Sequence, residues 1–167
     1  MLIDDSLKQK ASKIKLLILD VDGVLTDGKL YIDHKGNETK SFHTQDGLGM
    51  RRLQNLTDII IAVISGRHSL AVEHRLTELG VDHYYLGHEN KITIFNQLIA
   101  QLNISKEEVA YVGDDLPDLD IMRIVQLSFA VENAVDEVKQ KANLITKKSG
   151  GCGAVREVCD ILIGAKK

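Results

Sequence analysis

The chain has 167 residues, of which 44% are hydrophobic and 27% are charged, and its formal net charge at pH 7 is -3. This length suffices for one domain with a single core that needs no disulfide or metal for stability. The small negative charge gives no electrostatic reason to expect binding to nucleic acid or to an anionic membrane. No apolar run approaches the roughly 20 residues of a membrane span. Because the N-terminal residues are charged, we expect no signal peptide and a cytoplasmic protein.

The hydrophobic pattern predicts strands and helices that alternate along the chain. A short polar helix over 5–13 is followed by a fully buried strand that begins at Leu16. A β-hairpin comes next, with strands in 29–33 and 38–43 around a turn. The later elements are, in order, a helix over 47–56, a strand over 59–64, a helix over 69–79, a strand over 83–86, a helix over 90–102, strands over 109–112 and 127–131, a helix near 134–141, a strand at 144–145 and a helix over 153–164. This alternation indicates an α/β fold, a Rossmann-like parallel sheet with helices on both faces.

Two carboxylates, Asp20 and Asp22, stand at the C-terminal end of the first predicted strand. Ligands of open α/β sheets bind beyond this end of the strands, and buried carboxylates are costly there unless a cation or a partner neutralises them. Asp114 and Asp115 follow a second apolar strand in the same way. An ordinary acidic strand-to-loop junction explains one such aspartate, but two pairs favour a functional site.

Two further polar residues follow in the pattern. Ser65 ends an apolar strand before Gly66, where a hydroxyl and backbone N–H groups can hold a phosphoryl oxygen. Taken alone, Ser-Gly after a strand is usually an ordinary turn. Lys91 lies at a predicted helix start, and a lone lysine there is usually just solvated. Neither residue by itself indicates a function.

Asp20-Val21-Asp22, Ser65, Lys91 and Gly113-Asp114-Asp115 resemble the four motifs of the haloacid dehalogenase superfamily, in the same order. Three stretches, 20–28, 113–120 and 150–158, more narrowly resemble the 3-deoxy-D-manno-octulosonate 8-phosphate phosphatase family. The resemblance implies a Mg²⁺-dependent phosphoric monoester hydrolase of lipopolysaccharide biosynthesis. Dehalogenating members lack a second aspartate two residues after the first, so its presence here favours phosphate esters.

The resemblance also implies a role for each motif residue. Asp20 would be the nucleophile and form an aspartyl-phosphate, while Asp22 would be first general acid and then general base. Mg²⁺ would be bound by the side chains of Asp20 and Asp114 and by the backbone carbonyl of Asp22. Ser65 and Lys91 would stabilise the transferring phosphoryl group.

A further set of residues is assigned to a sugar acid phosphate by the same resemblance. The guanidinium group of arginine can donate two parallel hydrogen bonds to its carboxylate, and a hydroxyl-rich loop can form hydrogen bonds with its hydroxyl groups. The set contains Asp22, His43, Thr44, Gln45, Asp46, Gly47, Arg51, Arg67, Arg75 and Lys91, with Gly66, Asp115 and Arg156 in supporting roles and Asp118 orienting its loop. Surface arginines on amphipathic helices account for each arginine equally well. For Arg156, pairing with Glu157 or Asp160 is as plausible as contact with substrate.

The gaps between motifs leave no room for the cap domain that closes most active sites of this superfamily, because an independent domain needs at least about 50 residues. An open site must act on a macromolecule or use a lid from another subunit. The glycine-rich segment from Gly150 to Gly153 is by default a flexible hinge. The resemblance implies instead a homotetramer, in which the tail over 149–167 covers a neighbouring active site and the hairpin near 29–43 joins the assembly. Removal of the residues after Lys148 is then expected to affect substrate handling more than stability.

Other functions remain open at this point. The chain resembles phosphatases that act on a nine-carbon ulosonate 9-phosphate, and its open site also suits a phosphoprotein. It could also be a non-catalytic oligomerisation module, like the related C-terminal domain of some nucleotide-sugar synthetases. The complete set of motif residues argues against the non-catalytic module. The two cysteines, Cys152 and Cys159, lack the spacing of metal ligands and are predicted to be free thiols in a reducing compartment.

Overall fold

A computed structural model describes residues 5–166, and residues 1–4 and 167 lie outside the described part. In chain order its elements are α1 (Asp5–Ser12), β1 (Leu16–Leu19), β2 (Tyr31–Ile32), β3 (Glu38–Thr39), α2 (Thr44–Leu56), β4 (Ile60–Ser65), α3 (Leu70–Glu78), β5 (His83–Leu86), α4 (Lys91–Leu102), β6 (Val109–Gly113), α5 (Leu119–Met122), β7 (Leu127–Ala130), α6 (Asp136–Lys141), β8 (Leu144–Ile145) and α7 (Ala154–Ala165). Short 3₁₀ helices precede β6 and α5, at Lys106–Glu108 and Leu116–Asp118.

Six strands form one parallel sheet in the order β5-β4-β1-β6-β7-β8, and β2 and β3 form a separate antiparallel hairpin. The central strand β1 pairs with β4 on one side and with β6 on the other. All four side chains of β1 are buried, as expected for a parallel strand that is covered on both faces. The chain builds outward from β1 first on one side and then on the other. The C-terminal ends of β1 and β6 therefore flank the crevice where such sheets bind ligands.

The predicted α/β class, parallel sheet and hairpin are confirmed, and most element bounds differ by one or two residues. The largest differences are the end of β3, which lies at Thr39 rather than at residue 43, and the start of α2. The helix α2 begins at Thr44 rather than at residue 47. Its N-cap is His43, whose Nδ1 accepts a hydrogen bond from the Gln45 N–H at 3.2 Å. The pattern missed this start because the first turn is polar and the cap is not one of the usual small polar residues.

The glycine-rich segment before α7 is packed against its own chain. The Gly151 N–H donates to the carbonyl of Val24 at 3.0 Å, and a Cβ at Gly150 would lie 1.6 Å from the carbonyl oxygen of Gly23. Most residues of α7 are buried, and this helix packs along α2. The expectation that removal of the residues after Lys148 affects substrate handling more than stability is therefore wrong, because that truncation removes a core helix.

Both cysteines are free thiols, as predicted, with Cys152 exposed and Cys159 buried in α7. Burial raises the pKa of the Cys159 thiol above its ordinary value, so this side chain is neutral. Within residues 5–166, no helix combines the length and apolar character needed to cross a membrane.

Candidate active site

The loop after β1 places Asp20 at the edge of the sheet. The Asp20 N–H donates to the carbonyl of Val112 on β6 at 3.1 Å. The following loop forms a tight turn, in which the N–H groups of Val24, Leu25 and Thr26 all donate to the Val21 carbonyl. Gly23 has a φ of +93°, and a Cβ there would lie 2.0 Å from Asp114 Oδ2. Glycine is therefore required at this position both for its backbone conformation and for the close approach of the second strand's carboxylate.

Three carboxylates, those of Asp20, Asp114 and Asp118, converge at the ends of β1 and β6. Each offers an oxygen, and these oxygens lie within 4.8 Å of one another. Burial, together with the charges of the other carboxylates, raises the pKa of Asp20 and that of Asp114 well above the ordinary aspartate value. Hard oxygen ligands with excess negative charge form a suitable site for a divalent cation.

Asp118 is fully buried and is held by the protein itself. Both of its oxygens already accept hydrogen bonds, which leaves Asp20 and Asp114 as the carboxylates available to a cation. This geometry agrees with the expectation that Asp118 orients its loop. The donors are Lys91 Nζ (2.7 Å) and the Tyr111 hydroxyl (2.7 Å) on Oδ1, and the N–H groups of Asp114 (2.9 Å) and Asp115 (3.3 Å) on Oδ2.

Lys91 is the first residue of α4, and the side chain of Asn90 caps this helix by accepting from the Thr93 N–H at 3.2 Å. The Lys91 Nζ lies 2.7 Å from Asp20 Oδ1 and is buried beside it. Burial alone would lower the lysine pKa, but the charges of Asp20 and Asp118 outweigh it and raise that pKa above the ordinary value. The ammonium group is therefore a permanent positive charge next to the proposed nucleophile.

Ser65 is the last residue of β4 and is also buried. Its Oγ accepts from the Arg67 N–H at 3.2 Å, and its carbonyl accepts from the His88 N–H at 3.0 Å. These bonds fix the turn through Gly66, and Ser65 and Gly66 line the same cavity as the carboxylates.

A cavity of about 520 Å³ joins these groups. The motif residues that were given chemical roles, Asp20, Asp22, Ser65, Lys91 and Asp114, therefore all line one cavity. The lining residues are Asp20, Asp22, Gly28, Ser65, Gly66, Arg67, Glu89, Lys91, Asp114, Asp115, Pro117 and Asp118.

Most residues that were assigned to the sugar lie elsewhere in the chain. Outside the motifs, Gly66 and Arg67 of that set line the cavity. The others do not, namely His43, Thr44, Gln45, Asp46, Gly47, Arg51, Arg75 and Arg156. Asp46 is buried and caps α7, because its carboxylate accepts from the N–H groups of Gly153 at 3.2 Å and Arg156 at 2.7 Å. This single-chain arrangement gives Asp46 a structural role.

The arginines of this set have partners inside the chain. Arg75 Nη1 lies 2.8 Å from Glu78 Oε2, and Arg51 Nη2 donates to the Glu78 carbonyl at 2.8 Å. Arg156 Nε lies 2.7 Å from Asp160 Oδ2, which is one of the two pairings left open by the sequence. Their assignment to substrate stays a prediction.

Sequence reasoning missed two kinds of residue at the site. Lys40 and Glu38, on the hairpin, form ion pairs next to Asp22, and nothing in a short polar hairpin strand marks them. Tyr111, which bonds to Asp118, could have been found, because a tyrosine stands out in an otherwise aliphatic buried strand.

Comparison with known proteins agrees with this geometry. Residues 87–158 match the haloacid dehalogenase-like hydrolases. The fold and the acidic site at the strand ends thus define a hydrolase of this class. The 3-deoxy-D-manno-octulosonate 8-phosphate phosphatase KdsC of Escherichia coli is 48% identical over 157 residues, which cover 94% of this chain and 83% of the relative.

Two solved structures give the same result. The 3-deoxy-D-manno-octulosonate 8-phosphate phosphatase of Moraxella catarrhalis, in complex with magnesium, phosphate and KDO, matches with a TM-score of 0.95 and 41% identity, over 98% of this chain and 94% of that one. The cobalt-bound form of the Haemophilus influenzae phosphatase matches with a TM-score of 0.90 and 42% identity, over 95% and 92% of the two chains. The chain belongs to the 3-deoxy-D-manno-octulosonate 8-phosphate phosphatase family.

Proposed function

We propose that the protein hydrolyses 3-deoxy-D-manno-octulosonate 8-phosphate to the free sugar acid and inorganic phosphate, as a step of lipopolysaccharide biosynthesis. The main support for this proposal is that Asp20 and Asp114 lie close together and line one cavity with Lys91 and Ser65. The substrate is inferred from membership of the family. We also propose that residues 1–167 form a single hydrolase domain without a cap.

The metal we propose is Mg²⁺. Asp20 and Asp114 fit a small hard cation, because their oxygens are close together, Asp20 is buried and Asp114 partly buried, and the cluster is short of positive charge. The backbone carbonyl of Asp22 would be the third protein ligand. When bound, Mg²⁺ would supply the positive charge that allows a carboxylate to approach an anionic phosphate ester.

In the first step an Asp20 carboxylate oxygen attacks phosphorus and forms the aspartyl-phosphate. The bond between phosphorus and the sugar oxygen breaks, and this oxygen takes a proton from the Asp22 carboxyl group to leave as an alcohol. The Lys91 ammonium and the Ser65 hydroxyl stabilise the charge on the phosphoryl oxygens.

The second step returns the enzyme to its starting state. A water molecule attacks phosphorus, and Asp22, now a carboxylate, takes a proton from that water. The bond between phosphorus and Asp20 breaks, which releases phosphate and regenerates the Asp20 carboxylate. The two carboxylates of the loop after β1 thus have separate roles, with Asp20 bonding to phosphorus and Asp22 moving the proton.

We further propose a homotetramer in which neighbouring chains complete the open site. Leu30, Tyr31 and Ile32 of the hairpin are apolar and about half exposed, and a contact between copies would cover them. The predicted substrate residues outside the cavity, from His43 to Gly47 together with Arg51, Arg75 and Arg156, and the outer surface of the tail over 149–167 would then act at such a contact.

Phosphate release measured on two substrates tests the function. With Mg²⁺, we expect a higher kcat/KM for the eight-carbon 8-phosphate than for a nine-carbon ulosonate 9-phosphate, and no turnover after chelation of the metal. Asp20→Asn should lower kcat by roughly 10⁴-fold or more while its melting temperature is retained. Preference for the nine-carbon compound would overturn the substrate, and normal turnover by Asp20→Asn would overturn the mechanism.

A further inference from the structure

The carboxylate of Asp22 is tied to the hairpin through a buried lysine. Lys40 follows β3 directly, and its ammonium group forms an ion pair and hydrogen bond with Asp22 Oδ1. The same ammonium lies 2.7 Å from Glu38 Oε1, and Glu38 Oε2 accepts from Arg67 Nη2 at 2.7 Å. The hairpin therefore contributes to a network of charged side chains, in which Glu38 contacts both cations that flank Asp22, namely Lys40 and Arg67.

Lys40 reaches Asp22 from behind the active site. Its side chain is only 2% exposed, and the cavity is lined by Asp22 and Arg67 but not by Lys40. Its ammonium group lies between two carboxylates, those of Asp22 and Glu38. Because Lys40 does not line the cavity, it acts on the chemistry through Asp22.

The two oxygens of Asp22 differ in their surroundings. An ammonium group has only donors, so the oxygen that it contacts must be an acceptor. That oxygen is Oδ1. The Nε of Arg67 lies 3.8 Å from Oδ2, which is too far for a hydrogen bond. Within the described residues, Oδ2 receives no hydrogen bond and is free to carry a proton.

We propose that Lys40 is a positioning residue for the general acid–base Asp22, which it holds through Oδ1 so that Oδ2 carries the transferred proton. This inference rests on the proposed function. In the first step the proton on Oδ2 passes to the ester oxygen as its bond to phosphorus breaks, which leaves Asp22 as a carboxylate. In the second step Oδ2 takes a proton from the attacking water. Without Lys40, the carboxylate is free to rotate toward Arg67 and no longer presents a defined oxygen to the leaving group.

Two substrates with different leaving groups distinguish this role of Lys40 from a merely structural one. A sugar alkoxide needs a proton in order to leave, whereas p-nitrophenolate leaves without one. Lys40→Met keeps the length of the side chain and removes the charge. We expect it to lower kcat/KM for the sugar phosphate by about 100-fold, the lower range of general acid catalysis, and kcat/KM for p-nitrophenyl phosphate by less than about fivefold. Because kcat/KM ends at the first irreversible step, it reports departure of the leaving group.

Two further variants calibrate the comparison. Asp22→Asn should show the same selective loss, and Lys40→Met should add little to it in the double variant. Lys35→Met is the matched control, because Lys35 is an exposed lysine in the turn of the same hairpin, and it should leave both substrates unchanged. Should Lys40→Met fail to fold, Lys40→Gln keeps a polar end of similar length and is measured in its place.

Equal losses on both substrates, or no loss on either, would overturn the inference. A wild-type chain that does not hydrolyse the sugar phosphate would overturn the proposed function alone. The Lys40 comparison would then use an alkyl phosphate that the chain does hydrolyse, so the two failures are distinguishable.

Discussion

The charge balance of a few buried side chains decides whether Asp20 is able to act as a nucleophile. Lys91 brings one positive charge to a cluster in which Asp20, Asp114 and Asp118 meet. The excess negative charge and the burial raise the pKa of Asp20 and of Asp114. A protonated carboxyl group is a poor nucleophile, so the site needs a further cation at neutral pH. The need for a cation thus follows from the charges of these side chains and does not depend on the similarity to known phosphatases.

The stability of the metal-free protein should therefore depend on pH. The pKa of Asp20 and that of Asp114 lie above the ordinary aspartate value of 3.8 in the folded state. Their contribution to the free energy of unfolding is thus complete below that value and is lost as the pH rises into the neutral range. We expect a lower melting temperature at pH 8 than at pH 5 in EDTA, and a larger rise on addition of Mg²⁺ at pH 8, where fewer protons must be displaced.

Asp114→Asn is the control for this measurement, because it removes one of the titrating ligands. Its melting temperature should vary less with pH and respond weakly to Mg²⁺. For a chain of this size, about 1 kcal/mol corresponds to roughly 2–4 °C, which differential scanning calorimetry resolves. A Mg²⁺ effect that is equal at both pH values, or larger at pH 5, would contradict the proposed ligands.

At the scale of elements, the site depends on the contact between the segment before α7 and the loop after β1. A Cβ at Gly150 would meet the backbone of Gly23, and the Cβ position of Gly23 itself is occupied by the carboxylate of Asp114. The glycine-rich segment thus packs against the loop that carries Asp20 and Asp22, the two proposed catalytic aspartates. What the sequence indicated as a hinge is a close packing contact.

Gly150→Ala should therefore destabilise the fold and lower activity together. We expect a loss of about 2–3 kcal/mol in the free energy of unfolding, since the added methyl group would clash with backbone that has to move. Gly164→Ala, in the exposed part of α7, is the matched control, because nothing lies within 4 Å of its Cβ position. Urea unfolding should show a change between zero and a gain of about 1 kcal/mol for that variant. Comparable stabilities of the two variants would contradict the contact.

The elements themselves could largely be predicted from the sequence. Buried parallel strands such as β1 are short apolar runs bounded by turn residues, a signal that needs no tertiary information. The start of α2 could not be predicted, since it depends on the unusual cap His43. The role of Asp46 was also hidden, because it caps a helix 107 residues away, and no local pattern encodes such a contact.

The same division holds within the site. The residues Asp20, Ser65, Lys91 and Asp114 were expected to meet, because parallel strands place their C-terminal ends at one edge of the sheet. The contact of Lys40 with Asp22 was not expected. It requires the hairpin to fold back over the loop after β1, and a charged residue on a short strand is normally solvated.

At the scale of the whole molecule, the chain is a parallel sheet whose active site lies open at one edge. The elements between the motifs are the hairpin and α2 in the first gap, and α3 and β5 in the second. Neither gap contains a cap domain, as the sequence indicated. The hairpin instead places Lys40 next to Asp22, the proposed general acid, and leaves its apolar residues exposed. In this arrangement one small insertion serves both the proposed chemistry and the proposed assembly.

A crystal structure of the protein with Mg²⁺ and beryllium fluoride, a mimic of the aspartyl-phosphate, tests the central claim most directly. We expect the beryllium fluoride group on a carboxylate oxygen of Asp20, with the metal about 2.1 Å from oxygens of Asp20 and Asp114 and from the Asp22 carbonyl. A group attached to another carboxylate, or a metal held away from Asp114, would contradict it.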